Sequence, residues 1–244
     1  MSRNTAPTDP IVWIDCEMTG LDLEKDALIE VAVVVTDSEL VPVDAGVDLV
    51  IAPTPGSVDQ MNDVVRTMHT TSGLLDELDA GLTMADAQEK VLEYVRRWVP
   101  EPRKAPLAGN SVGTDRSFLA RDMPELVDHL HYRIIDVSSI KELARRWYPR
   151  AYFQSPAKNG GHRALADILE SIDELRYYRT VLFPEGDGPD SPTARAAAAA
   201  VAAAPTSAVV EALAQEAALE EKAAEDAAHG AEPAGRGRST DAPA

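Results

Sequence analysis

Residues 11–22 read Ile-Val-Trp-Ile-Asp-Cys-Glu-Met-Thr-Gly-Leu-Asp. The apolar, β-branched run at 11–15 predicts a buried strand. Side chains alternate along a strand, so Asp15 and Glu17 share one face and Cys16 takes the other. Two acids held together at a strand end repel, and the pair needs a proton or a cation. That points to a divalent-metal site; an exposed turn beginning early is the plainer alternative.

Outward from this strand, residues 27–36 form a second β-branched run and 47–51 a third, stopped by Pro53. Ala87, Val91, Leu92, Val95 and Trp98 recur at helical spacing within 85–98, and Pro100 ends that helix. Residues 106–108 predict a short strand, 114–121 a helix capped by Thr114, 133–136 a strand, and 138–147 a helix capped by Ser138. A long helix over 164–182 carries Ile168, Ile172, Leu175 and Tyr178 on one side. Three strands followed by strands alternating with helices describe an α/β protein, a ribonuclease-H-like mixed sheet flanked by helices. Such a fold hosts many activities, so function has to be argued from a site.

Two further segments bring candidate ligands. Gly109-Asn-Ser-Val-Gly-Thr-Asp115 joins a strand to a helix and sets Asp115 in the first turn, where a carboxylate also suits the helix dipole and serves equally as a capping aid. Gly160-Gly-His162-Arg-Ala-Leu-Ala-Asp167 presents His162 just before a helix, with Asp167 over one turn later. Taken singly, His162 reads as structural or solvated and Asp167 as surface. Taken together, four carboxylates offer hard oxygen ligands for two Mg²⁺ or Mn²⁺ ions at a scissile phosphate. Histidine, with an ordinary pKa of about 6.5, is then the natural general base. The Cys/His spacing of closed zinc sites is absent.

Composition bounds the substrate. All three Trp and all six Tyr lie before Phe183, so the expected layout is a flexible N-terminus at 1–10, one domain at 11–184, and an acidic, Ala-rich tail at 185–244. The tail is expected to be disordered or partly helical, with a helix from about Ser207 to a stop at Gly230. Net charge is −18; the tail holds 11 acidic and 4 basic residues, so −7 belongs to it and −11 to the domain. Proteins that grip long nucleic acid through phosphates carry a basic stripe, and none is visible. Arg96-Arg97 and Arg145-Arg146 read as solvated helix faces. A nucleic-acid substrate should therefore be short, or its charge met by metal. The single cysteine suits a reducing compartment, and with no apolar h-region near the start and no run of about 18 apolar residues, cytoplasm without a membrane anchor is the expectation.

In this order and spacing, Trp13 to Asp22, Gly109 to Asp115, Tyr132-Arg-Ile-Ile-Asp-Val-Ser, Lys141-Glu-Leu-Ala-Arg-Arg-Trp147 and His162-Arg-Ala-Leu-Ala-Asp167 resemble the oligoribonucleases, which are DEDD 3′→5′ exoribonucleases with a histidine base. The resemblance covers about residues 10–183. It implies metal ligation by Asp15, Glu17, Asp115 and Asp167, base catalysis by His162, and a homodimer acting on short single-stranded RNA, with dinucleotides favoured. It also implies that Leu21 wedges against a base, that Ser111 and Arg133 bind the terminal 5′ phosphate, and that Tyr132 reaches the site from a partner subunit as a catalytic residue. The plainer alternative for Tyr132 and Arg133 is an ordinary strand start. One departure stands out: relatives often carry a stacking tryptophan near Val64, and Val64 cannot stack. As base stacking is worth about 1–3 kcal/mol, dinucleotide binding is expected to be weaker or compensated by a neighbour. His69 is retained, as a substrate contact or a cap.

The rival readings are a DNA 3′→5′ proofreading-type exonuclease, which shares the acids and histidine, and a non-catalytic ribonuclease-H-like interaction module, which has no use for all five. A short-substrate site predicts weak salt dependence. Affinity for an RNA dinucleotide measured against salt concentration should show a shallow slope; a slope indicating many released counterions would contradict the short-substrate reading.

Overall fold

A computed structural model of the chain describes residues 7–157 and 161–229, with side chains to Ala224. The expectations that fall on residues 1–6, on Gly160 and on the Gly230 stop lie outside the described residues. The chain divides into two units, Met1–Phe183 and Pro184–Ala244.

Five strands form the sheet of the first unit: β1 (Ile11–Met18), β2 (Leu28–Thr36), β3 (Val47–Val50), β4 (Pro106–Gly109) and β5 (His131–Asp136). Their order is β3-β2-β1-β4-β5. β1 pairs antiparallel with β2 and parallel with β4, while β2–β3 is antiparallel and β4–β5 parallel, so the sheet is mixed. β1 extends to Met18, past its apolar run, because the pairing Cys16↔Val31 and Glu17↔Glu30 carries the ladder through the acids. The helices are α1 (Asp63–Thr71), α2 (Leu74–Glu77), α3 (Met84–Trp98), α4 (Gly113–Asp122), α5 (Pro124–His129), α6 (Val137–Trp147), α7 (Pro149–Phe153) and α8 (Ala164–Leu182).

The two-residue period of β1 divides the core. Val12, Ile14 and Cys16 pack with Val91, Val95 and Leu119 in one cluster, and Trp13 packs with Ala32, Val34, Ile168, Ile172 and Tyr178 in another. Asp15 and Glu17 continue the Trp13 face, toward α8. β4 lies close against β1 here: a Cβ on Gly109 would sit 3.0 Å from the Ile14 carbonyl oxygen. Glycine lets the two strands meet at the site.

Local signals explain most boundaries. Thr83 caps α3 by accepting from the Asp86 N–H, and the residue before Pro100 leaves helical geometry, as proline requires of its predecessor. Two expected caps move. α4 begins at Gly113 with Val112 at its N-cap, so Thr114 lies inside the first turn. α6 is capped by Asp136, which accepts from the Ser138 N–H at 2.9 Å, because the Ser138 hydroxyl is drawn instead to Asn110 Oδ1 at 3.0 Å. The short α5 and α7, each opened by a proline, are too brief to register as a periodic pattern.

In the second unit, α9 (Ser191–Ala203) and α10 (Thr206–His229) follow one another, so helix begins well before Ser207. Asp190 caps α9 through the Thr193 N–H, and alanine carries the propensity onward. Within Ser191–Ala224 one 18-residue window has a mean hydropathy of 1.5, apolar enough by composition to cross a membrane, a property that counting bulky apolar residues passes over. That hydropathy is largely alanine. α9 has 13 residues against the roughly 20 a span needs, and α10 carries Glu211, Glu216, Glu220, Glu221 and Lys222.

Ile14 is fully buried beneath the acidic end of β1. Ile14→Ala should cost about 2–5 kcal/mol, read as a lower urea midpoint at unchanged m-value; a loss under about 0.5 kcal/mol, typical of surface changes, would show that this face of β1 is not core.

Candidate active site

Asp15 and Glu17 leave β1 on the α8 side, and the first turn of α8 brings Asp167 to them. One carboxylate oxygen from each of the three lies within 4.8 Å of the others. Glu17 is buried, and its pKa is pushed up to about 8, first by burial and then by the charges of Asp167, Glu30 and Asp115, with Arg163 opposing. Asp115 is buried as well and raised to about 6, mainly by burial, against the lowering effect of backbone hydrogen bonds. Its Oδ1 accepts from the Cys16 N–H at 3.0 Å. Asp115 therefore stands beside the three-acid group without joining it, close enough to be felt by Glu17. Hard oxygen donors that burial forces toward protonation fit a divalent cation, which would return them to the ionised state.

His162 is exposed, sits immediately before α8, and has φ +48°. Its neighbour Arg163 bonds Glu30 Oε1 through Nε at 2.7 Å, and Glu30 is the cross-strand partner of Glu17. His69 differs from the other candidates. Its ring is fully buried, with Nε2 donating to the Met18 carbonyl at 2.9 Å and Nδ1 3.9 Å from Glu17 Oε2. Burial holds it below the usual histidine range. It packs against Glu17, and Met18, at the end of β1, offers it a carbonyl acceptor that the sequence pattern does not reveal.

The remaining candidates surround this centre on exposed positions. Leu21 is 76% exposed on the loop after β1. That loop is pinned by Asp26, which accepts from the Thr19 hydroxyl at 3.1 Å and the Asp22 N–H at 2.8 Å, and whose carboxylate occupies the space a side chain on Gly20 would need. Ser111 adopts φ +54°, and its N–H is shared by Asp136 Oδ1 and Ser138 Oγ, both at 3.0 Å. Tyr132 and Arg133 are exposed on the edge strand β5, with the guanidinium 5.5 Å from the Tyr132 ring centroid. Val64 is 78% exposed on α1. Sequence reasoning missed Glu30 and Arg163, although a lone acid inside the otherwise apolar run Leu28–Thr36 was a signal.

A sheet of this order with three clustered carboxylates defines an acidic-site exonuclease of the DEDD class, and the RNase T exonuclease family matches residues 12–175. Exonuclease I of Methylocaldum szegediense superposes with a TM-score of 0.51 at 20% identity, over 71% of this chain and 41% of that one, a likeness of fold. Oligoribonuclease of Streptomyces avermitilis is 69% identical over 78% of this chain and 96% of its own length, and that of Streptomyces griseus is 68% identical over 78% and 95%. The chain belongs to the oligoribonuclease family.

The raised pKa values carry a sign. Carboxyls held above their ordinary range favour folding at low pH, and that contribution is lost as pH rises through about 6 for Asp115 and about 8 for Glu17. A cation binds the ionised form, so the rise in Tm on adding Mn²⁺ should grow from pH 6 to pH 8 and shrink in Glu17→Gln. An equal rise at both pH values would refute the assignment.

Proposed function

We infer that the chain is a hydrolase that removes nucleotides from the 3′ end of short oligoribonucleotides. The observation that carries this is the convergence of Asp15, Glu17 and Asp167 within 4.8 Å in a member of the oligoribonuclease family. The finer reading is that RNA dinucleotides are favoured, and that Asp15, Glu17, Asp115 and Asp167 hold two divalent ions, Mg²⁺ or Mn²⁺. Ions held by these carboxylates would supply the positive charge that the scissile phosphate and the attacking water need. His162 accepts the proton of the attacking water, a role for which its exposed position just before α8, the helix that carries Asp167, suits it.

Leu21 wedges against a base from its pinned loop, while Ser111 and Arg133 take the terminal 5′ phosphate. The main chain at Ser111 is held by Asp136 and Ser138, which leaves the residue fixed for such a contact. Tyr132 acts across a homodimer interface. Support comes from exposed large apolar side chains on consecutive elements: Tyr132 and Ile134 of β5, Leu143 and Trp147 of α6, and Tyr148 and Phe153 around α7. The buried, unpaired Cys16 suits the cytoplasm. A DNA exonuclease is the second reading; the likeness to exonuclease I is one of fold, so it carries no substrate.

Asp15→Ala and Asp167→Ala should abolish Mn²⁺-dependent cleavage of a 5′-phosphorylated RNA dinucleotide, and near-normal turnover by either variant would sink the assignment. Rates on a labelled ladder of RNA and matching DNA, from the dinucleotide upward, should fall steeply with length and be lowest on DNA. A flat profile would instead favour a general exonuclease. Solution mass at working concentration should be that of two chains.

A further inference from the structure

We propose that Glu30 and Arg163 are positioning residues that fix His162 at the carboxylate site; this rests on His162 being the general base. Glu30 is the only charged residue in β2 and is fully buried. It lies across the strand pair from Glu17 and adds to the repulsion there. An apolar residue would serve the core better at that position, since a buried ion pair rarely outperforms good packing. Both of its oxygens are nonetheless committed to the segment after His162. Oε1 accepts from Arg163 Nε at 2.7 Å, and Oε2 accepts from the Ala164 N–H at 3.0 Å. The second bond caps α8, whose own N-cap residue, Arg163, supplies no side-chain acceptor.

The guanidinium is held from its other side as well. Glu77 of α2 takes Arg163 Nη1 at 2.8 Å and Nη2 at 3.2 Å. Residue 163 is therefore clamped through its side chain by two elements, and the following main-chain N–H by one. The residue this clamp immediately follows is His162, in the left-handed region at φ +48°. A non-glycine residue stays in that region only where its surroundings hold it. Released from the clamp, residue 162 would relax to negative φ and carry the imidazole out of position.

The test uses the full chain, a 5′-phosphorylated RNA dinucleotide and Mn²⁺. Arg163→Lys keeps the charge and loses the fork that serves both glutamates. Glu30→Gln keeps the shape and places a donor where an acceptor is needed. Both should lower kcat by about tenfold to a hundredfold, the scale of a misplaced catalytic group, while KM stays put; Mn²⁺ affinity should hold in Arg163→Lys and should not fall in Glu30→Gln, which removes a charge that repels Glu17. Glu77→Gln, at the exposed end of the clamp, should have the smaller effect. In a His162→Ala background Arg163→Lys should cost nothing more. Unchanged kcat in Arg163→Lys and Glu30→Gln would overturn the proposal, as would an equal loss from Arg163→Lys with and without His162. Normal turnover by His162→Ala alone would overturn the general-base reading itself, whatever Arg163 does.

Discussion

Carboxylates pressed together out of water repel, and the repulsion around Glu17 is the constraint to which the rest of the structure answers. Burial together with Asp167, Glu30 and Asp115 raises Glu17 to about 8, whereas a solvated glutamate would be ionised well below neutrality. Strand geometry creates this arrangement: the two-residue period of β1 turns Asp15 and Glu17 to one face, and α8 crosses that face with Asp167 in its first turn. A cation would relieve the conflict, so the feature that weakens the cation-free fold also makes the cluster a fitting place for a metal ion.

The scaffold around the acids is correspondingly stiff. Trp13, just before the acids on the same face of β1, is buried against α8, and Ile14 on the other face is buried near Leu119 of α4. Asp115, on α4, ties that helix to β1 through the Cys16 N–H, while Glu30 and Arg163 tie the start of α8 to β2. By contrast, the groups proposed to meet substrate, Leu21, Ser111, Tyr132 and Arg133, lie on loops and an edge strand where exposure leaves them available. Regular elements hold the acids, and the groups proposed to meet RNA lie on exposed segments.

The electrostatics also restrict the substrate class. Arg145 is paired with Glu142 at 2.7 Å, Arg176 with Asp173 at 2.8 Å and Arg179 with Glu39 at 2.7 Å. Positive charge spent on these neighbouring acids is not free to meet a long phosphate backbone. That agrees with an acidic domain whose family acts on short oligoribonucleotides.

Much was legible in the sequence. The alternation of Trp13, Asp15 and Glu17, the β-branched runs and the proline after α3 marked the strands, the end of α3 and the facing of two acids, because these are properties of neighbours along the chain; the order of the strands and the Thr83 cap came with the structure. The candidate acids and His162 were legible as residue types and wording. Only the tertiary structure decided that Asp115 bonds the Cys16 N–H beside the three-acid group, that His69 is buried behind Glu17, and that Asp136 displaces Ser138 as the cap of α6. The partners in the first two are about 100 and 50 residues apart, and the third turns on Asn110 taking the Ser138 hydroxyl. Glu30 shows the same limit: its charge inside β2 was visible, but its purpose depends on Arg163 and Ala164 more than 130 residues away. Periodicity fixes which way a side chain points, and only the packing of distant elements fixes what it finds there.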